Sequence, residues 1–501
     1  MTTTTPVVTE TSTRLPDGFT VRLRDDVLRF DDSRALVGGS PARAVRLAPR
    51  AQTLLAHGRL TVDGPATAAL ARRLLDGNLA DPVLDGPPVP AAELTIVIPV
   101  RGRPEQLDRC LASLAPLRVI VVDDASHDPG AIATVARRHD AALLPLTTNR
   151  GPAGARNAGL AQVTTPLVAF VDSDVEIPAA ALLDLARHCH DPQVALVGPR
   201  VKGATRSRRP HWFERYDTVA SSLDLGPTGG RVTPGAAVGW LPSACLVGRV
   251  AHIRGSDIDG FDATWRVAED VDLVWRLIDA GLTVRYDPTT QARHDVRTSM
   301  RGWLGRKVVY GTGGADLAHR HGDKVAPAVL SPTMAIAAAA LLQRRWWSLP
   351  LAALAAARTT RALAGRLPLE QGRTTIAASL TLRGTGCALR QETGLLLRHW
   401  WPLTAIAAPF SRPVRRALIT AVLVDLAVSL REHPGIDPLT TLAGRRLDDL
   451  AYGTGLWHGA LRSRSLRCVT PRRAGSTAEA PSQFGRGRTP RRAATSAAVR
   501  G

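Results

Sequence analysis

AFVDSDVEI, residues 169–177, brings two carboxylates, Asp172 and Asp174, to the end of a short apolar run. Side chains alternate faces along a β-strand, so both would leave the strand end on the same side, close enough to share one cation. Hard oxygen ligands of this kind suit Mg²⁺ or Mn²⁺, which bridge phosphate oxygens and neutralise charge that grows on a departing phosphate group. The alternative use for one of them is to cap the helix expected over residues 178–187. Just upstream, NRGPAGARNAG supplies Gly151, Gly154 and Gly159 for close backbone approach. It also places Arg156 and Asn157 at the opening of a helix whose N-terminal N–H groups favour anions. No Gly-Lys-Ser/Thr follows, so this is not a Walker loop. Two more acidic clusters stand out, Asp123 and Asp124 in VIVVDDAS and Glu269, Asp270 and Asp272 in VAEDVDLVWRL. The last enriches a helix N-terminus with negative charge, which alone would complement the helix dipole.

The elements that must hold these groups alternate in type. LTIVIPV reads as a strand, RPEQLDRCLASLA as a helix, VIVVDDAS as a second strand, AIATVARRHD as a second helix and LVAFVDSD as a third strand. That order predicts an α/β domain with a mainly parallel sheet, whose ligands bind at the carboxyl ends of the strands. Asp123, Asp124, Asp172 and Asp174 all fall at such ends. The domain is expected over residues 94–321, behind a Pro-rich linker at 81–93. Ahead of the linker, residues 14–80 read as a strand hairpin with helices, a winged-helix-like unit. Behind the domain, residues 322–462 are Ala- and Leu-rich and helical. Within them the uncharged run 325–342 is just long enough to span a bilayer, with QRRWW following as a basic, aromatic interface. An alanine-rich bundle packed on itself is the alternative.

The 501 residues suffice for two or three such units. A formal charge of +20 invites polyphosphate or anionic-lipid partners. Much of it sits in residues 463–501, where nine arginines meet one glutamate among Pro, Gly, Ser and Thr, so this tail is expected to be disordered. Its sharper role is an electrostatic hold on anionic membrane; nucleic acid is not the expected partner. Five scattered cysteines without a C-x-x-C pair argue against disulfides and zinc, and for a reducing cytoplasm. MTTTTPVVTETST lacks the basic start and apolar stretch of a signal peptide.

In order and spacing, TIVIPVRGRPEQL, VIVVDDAS, NRGPAGARNAG, AFVDSD and DGFDATWRVAEDVDLVWRL resemble the motif series of the family 2 inverting glycosyltransferases with the GT-A fold. The resemblance spans residues 94–301 and implies a nucleotide-sugar-binding domain. It implies donor contacts from Pro99, Asp123, Asp124, Arg156, Asn157 and Asp172, with Asp124 at the uracil ring of a UDP-sugar. It makes Asp174 the principal metal ligand, Asp172 its partner and His294 a further metal or diphosphate contact. Inversion is an in-line displacement that needs a base on the acceptor side. The resemblance assigns that role to Asp270, with Glu269 beside it and Asp272 a weaker candidate. Trp240 and Trp265 suit stacking on a sugar or aromatic acceptor, or equally core packing. The Q-x-x-R-W element of processive synthases is not matched: residues 343–346 read QRRW, one residue short, which favours single transfers or short oligomers.

More narrowly, the N-terminal unit, GWLPSA before the acidic pair and the helical C-terminal region are similar to the mycofactocin-system glycosyltransferases. That resemblance implies β-linked glucose moved from UDP-glucose to a peptide-derived redox cofactor, premycofactocin, by a membrane-associated enzyme with its catalytic domain on the cytoplasmic side, or by a cytoplasmic one. The rivals are a rhamnosyl-, galactosyl- or mannosyltransferase of cell-wall polysaccharide or glycolipid, and an inactive transferase that binds peptide or DNA.

Overall fold

The computed structural model describes residues 13–255 and 257–474. The sheet that carries the acidic motifs has nine strands. Along it run Val175–Glu176, Thr283–Asp295, Val194–Ala204, Cys245–Arg249, Leu167–Val171, Leu94–Val100, Arg118–Asp123 and Ala142–Pro145, with Gly230–Arg231 added beside Thr283–Asp295. The expected parallel order holds on one side, from Leu167–Val171 out to Ala142–Pro145. Beyond it one strand pairing is parallel and four are antiparallel, because Cys245–Arg249 runs against both its neighbours and the two short strands oppose Thr283–Asp295. The fold is therefore α/β with a mixed sheet. Leu94–Val100 and Leu167–Val171 are buried on both faces, with helices packing above and below, which is why they read as continuous apolar runs.

The N-terminal strands divide between two small sheets. Leu28–Phe30 and Ala35–Gly38 do pair as a hairpin, extended by Arg43–Arg46. Thr20–Leu23 instead joins a separate three-stranded sheet, between Arg59–Thr61 and Ala80–Pro82. Each of those outer strands follows a helix, Pro49–Leu54 or Pro65–Asp76, so the segment is two small sheets bridged by helices. Such long-range pairing leaves no mark on local alternation.

The run 325–342 is not one helix. A 3-10 turn at Gly322–Val325 and a two-residue strand, Val329–Leu330, precede a twelve-residue helix, Pro332–Gln343. Among the described residues no helix is long and apolar enough to cross a membrane. The strand finds its partner in Arg472–Arg473, so residues 463–474 of the expected tail are ordered, while 475–501 lie outside the described residues. The helical region packs back on the central domain through Met300–His321 and Pro438–Ser463. A Cβ on Gly455 would stand 1.9 Å from the Val308 carbonyl oxygen, and one on Gly311 2.2 Å from that of Tyr452. These two helices cross with backbone against backbone, which only glycine permits.

Candidate active site

The strand Leu167–Val171 stops before its aspartates. The Asp172 N–H donates to the Ala244 carbonyl (2.9 Å) and the Asp172 carbonyl accepts from the Val175 N–H (3.0 Å), closing a turn. The two carboxylates therefore do not leave one strand face together; the turn gives them different partners. Asp172 accepts Arg156 Nη2 at 2.6 Å. Asp174, buried, is approached by Arg103 Nη1 at 3.4 Å and by His294 Nε2 and Arg297 Nη2 at 3.5 Å each. Burial would raise its carboxyl, but His294, Arg297, Arg306 and Arg103 together hold it below the ordinary range.

Among the described residues no group of three His, Cys, Asp or Glu is assembled for a metal. Asp174 and His294 do converge, and His294 Nε2 is buried without a hydrogen-bond partner. A carboxylate and an orphaned imidazole nitrogen are two donors that would fit a divalent cation. Asp172, expected as the second aspartate ligand, is paired with Arg156 in this structure.

Arg156 lies on the helix Gly151–Gln162, whose start requires Gly151 at φ 76°. Its guanidinium is buried, donates to Asp172 and to Glu269 Oε1 (2.9 Å), and lies 5.4 Å from the Phe261 ring centroid. Burial opposes its charge, but Asp172 and Glu269 more than compensate, so it stays protonated. Arg156 thus ties the aspartate turn to the acidic helix. Asn157 beside it latches the loop before that helix: its amide donates to the Phe261 carbonyl (2.6 Å) and its oxygen accepts the Phe261 N–H (2.9 Å). Asp124 accepts the Arg150 and Gly151 N–H groups at 2.6 and 2.9 Å, anchoring the glycine-rich turn, and Asp123 accepts the Ser126 N–H at 3.0 Å. These two carboxylates and Asn157 brace the loops at the ends of the strands; Pro99 is half-buried on Leu94–Val100.

The helix Glu269–Asp279 begins after Ala268, held at φ 64°, a left-handed conformation that a residue with a Cβ seldom takes. Asp270 in its first turn is half-buried. Its oxygens accept the Ser243 N–H (3.0 Å) and the Val271 N–H (2.8 Å). Burial first, and then the neighbouring Glu269 charge, push it up to about 6. Asp272 differs in kind. It is fully buried, accepts from Arg276, Arg320 and His321, and is pulled down to about 2 against its burial. That makes it a structural anion. Trp265 is half-buried with the Arg320 guanidinium 4.7 Å from its ring centroid, and Trp240 is half-buried next to Gly239, whose carbonyl accepts Trp275 Nε1 (2.8 Å).

The site also contains residues the sequence reading passed over. Arg103, Arg297 and Arg306 surround Asp174 electrostatically, and Arg306 Nε donates to Tyr310 Oη at 3.0 Å. Tyr310 in turn lies within electrostatic reach of both Asp172 and Asp270. The 306/310 spacing marks one helix face. Nothing local says that this helix lies over the aspartates.

The family model described as "Glycosyl transferase family 2" matches residues 95–239. A "Pre-mycofactocin glycosyltransferase" of Mycobacterium tuberculosis is 43% identical over 475 residues, covering 92% of this chain and 99% of the relative. The chain belongs to the family 2 glycosyltransferases. A second relative of the transferase, an uncharacterized glycosyltransferase of Mycobacterium bovis, is 30% identical over 215 residues, 42% of this chain and 92% of its own. Among solved structures, a mannosyltransferase from Pyrobaculum calidifontis in complex with GDP-Man and Mn²⁺ is similar at 18% identity and a TM-score of 0.36, covering 70% of this chain and 88% of that one.

Proposed function

We propose that the transferase moves glucose, with inversion to a β-linkage, from UDP-glucose to a hydroxyl of premycofactocin, once or a few times over. The acceptor rests on the near full-length similarity to the Mycobacterium tuberculosis enzyme. The observation that carries the chemistry is Asp270: a half-buried carboxylate, fixed by two backbone N–H groups and raised to about 6, at the opposite end of the Arg156 bridge from the aspartate turn. A base of that strength is deprotonated at neutral pH and still basic enough to take a proton from an attacking hydroxyl.

In this mechanism Asp270 receives the acceptor proton as the hydroxyl oxygen attacks the anomeric carbon. The bond to the diphosphate breaks on the opposite face. Arg103, Arg297 and Arg306 set positive charge where the leaving diphosphate gathers negative charge, and Arg156 fixes Asp172 and Glu269 so that donor and acceptor sides keep their spacing. Bound Mg²⁺ or Mn²⁺, held by Asp174 and His294, would supply further charge neutralisation at the diphosphate. The N-terminal unit is assigned a part in holding the peptide-derived acceptor, and the protein works at the cytoplasmic face of the cell membrane. The test is a panel of nucleotide sugars with premycofactocin as acceptor, read by mass. A hexose increment from UDP-glucose is expected; glycosylation of lipid-linked acceptors alone would overturn the assignment.

A further inference from the structure

At one edge of the helical region two turns lie side by side. Arg344–Trp347 link Pro332–Gln343 to Ser348–Ala364, and residues 408–411 link Trp401–Ala407 to Arg412–Glu432. The Gln343 side-chain amide donates to the Pro413 carbonyl at 3.4 Å, joining the two. Their tips are aromatic and bare: Trp346 is 83% exposed and Phe410 89%. Leu349, Leu403 and Ile406 are exposed around them. Such side chains gathered at one edge cost solvation unless something covers them.

Charge identifies the cover. Arg344 and Arg345 are exposed on the first turn, and Arg412 and Arg415 on the helical turn that follows the second; among the described residues none forms an ion pair with a carboxylate, and Arg415 Nη1 donates only to the Ala408 and Pro409 carbonyls (2.9 and 3.0 Å). The chain from Lys324 to Leu369, and again from Thr393 to Val424, contains no Asp or Glu at all. Behind the tips opens an apolar cavity of about 510 Å³, lined by Leu342, Leu396, Leu403, Ala407 and Val414. Its wall holds one acidic group, Glu392, which burial pushes up to about 7. Aromatic tips flanked by arginines with no competing anion match the headgroup boundary of an anionic bilayer, and the cavity behind them is apolar enough for a length of acyl chain.

We propose that this edge is a monotopic docking surface for anionic phospholipid: Trp346, Phe410 and their apolar neighbours enter the interface, the four arginines meet the headgroups, and an acyl chain occupies the cavity. This rests on the membrane localisation proposed above and replaces a spanning segment with an in-plane contact. Full-length protein is floated with vesicles of phosphatidylcholine alone or with phosphatidylglycerol. Binding is expected only to the anionic vesicles. It should weaken about tenfold or more in Trp346→Ser/Phe410→Ser and in Arg344→Glu/Arg345→Glu/Arg412→Glu, with glycosyl transfer in solution retained as the check on folding. Brominated phosphatidylglycerol should quench wild-type tryptophan fluorescence, and Trp346→Phe and Trp400→Phe should each reduce that quenching, a readout independent of the multiple variants. Charge neutralisation in the tail, Arg486→Gln/Arg488→Gln/Arg491→Gln/Arg492→Gln, should leave binding in place. If that tail variant alone abolishes binding, the membrane localisation stands and this surface falls. If wild-type protein floats with no vesicle, both fall. If the Trp346/Phe410 variant floats normally but turns a dimer into a monomer, the surface is a subunit interface and the proposal is overturned.

Discussion

The role of base proposed for Asp270 rests on its two oxygens being pinned by backbone N–H groups while burial and Glu269 keep its proton affinity high. Asp270→Asn preserves shape and removes the base. It is expected to lower kcat about 100- to 10,000-fold while leaving UDP binding, measured by calorimetry, unchanged. A carboxyl raised to about 6 must be ionised to act, so kcat/KM should fall about tenfold per pH unit below pH 6 and level off above it. An acid limb near pH 4 would mean that Asp270 is not the titrating group. Arg156 pairs with Asp172 and Glu269, and its proposed part is to hold them in place. Arg156→Met leaves Glu269 as an uncompensated buried charge and should cost about 3–5 kcal/mol by chemical denaturation. An unchanged midpoint would show that the bridge does not hold the two halves of the site.

Single elements bring these residues into register. The helix Met300–His321 contributes Arg306 and Tyr310 to the site and supports the start of Glu269–Asp279, where Gly313 leaves room for Ala268: a Cβ there would come within 2.9 Å of the Ala268 Cβ. That helix is held by its crossing with Pro438–Ser463. Gly455→Ala would drive a methyl into the Val308 carbonyl, so a loss of about 1–3 kcal/mol or more is expected, read as a lower Tm and weaker donor binding together. Asp272 and Asp287 are both depressed to about 2 by buried partners. A depressed carboxyl contributes stability that is present above the unfolded value near 4 and is lost as pH falls through 2. Tm should therefore decline steeply between about pH 4 and pH 2, and Asp272→Asn should flatten part of that decline.

At the scale of the molecule, the N-terminal residues are bound into the rest rather than tethered to it. Arg72 makes a bidentate pair with buried Asp191 at 2.7 and 2.6 Å, Asn78 bonds the Arg231 backbone, and Asp31 accepts the Glu370 and Gln371 N–H groups from the helical region. One small unit thus clamps both larger ones. Arg72→Ala would leave Asp191 buried without its partner and free one side of the clamp. Limited proteolysis should then cut within residues 83–93 faster than in the wild type, and equal rates would assign the clamp to the other contacts.

The sequence by itself determined the family and nominated most of the candidate site residues, because motif chemistry is local: a glycine turn, a D-S-D run and a Glu-Asp helix start each keep their meaning within a few residues. It also fixed the alternation of strands and helices on the parallel side of the sheet, since doubly buried strands must be continuously apolar. Only the tertiary structure decided how those residues divide the work. Asp172 and Asp174 share a motif, yet a turn of three residues sends one to Arg156 and the other to His294. Asn157 and Asp124 also brace the loops around them, through partners 104 and 26 residues away. The antiparallel half of the sheet, the ordering of residues 463–474 and the breaking of 325–342 into strand and short helix all depend on pairings between distant segments. Hydrophobic periodicity reports which side of an element is buried; it carries no record of which distant segment buries it.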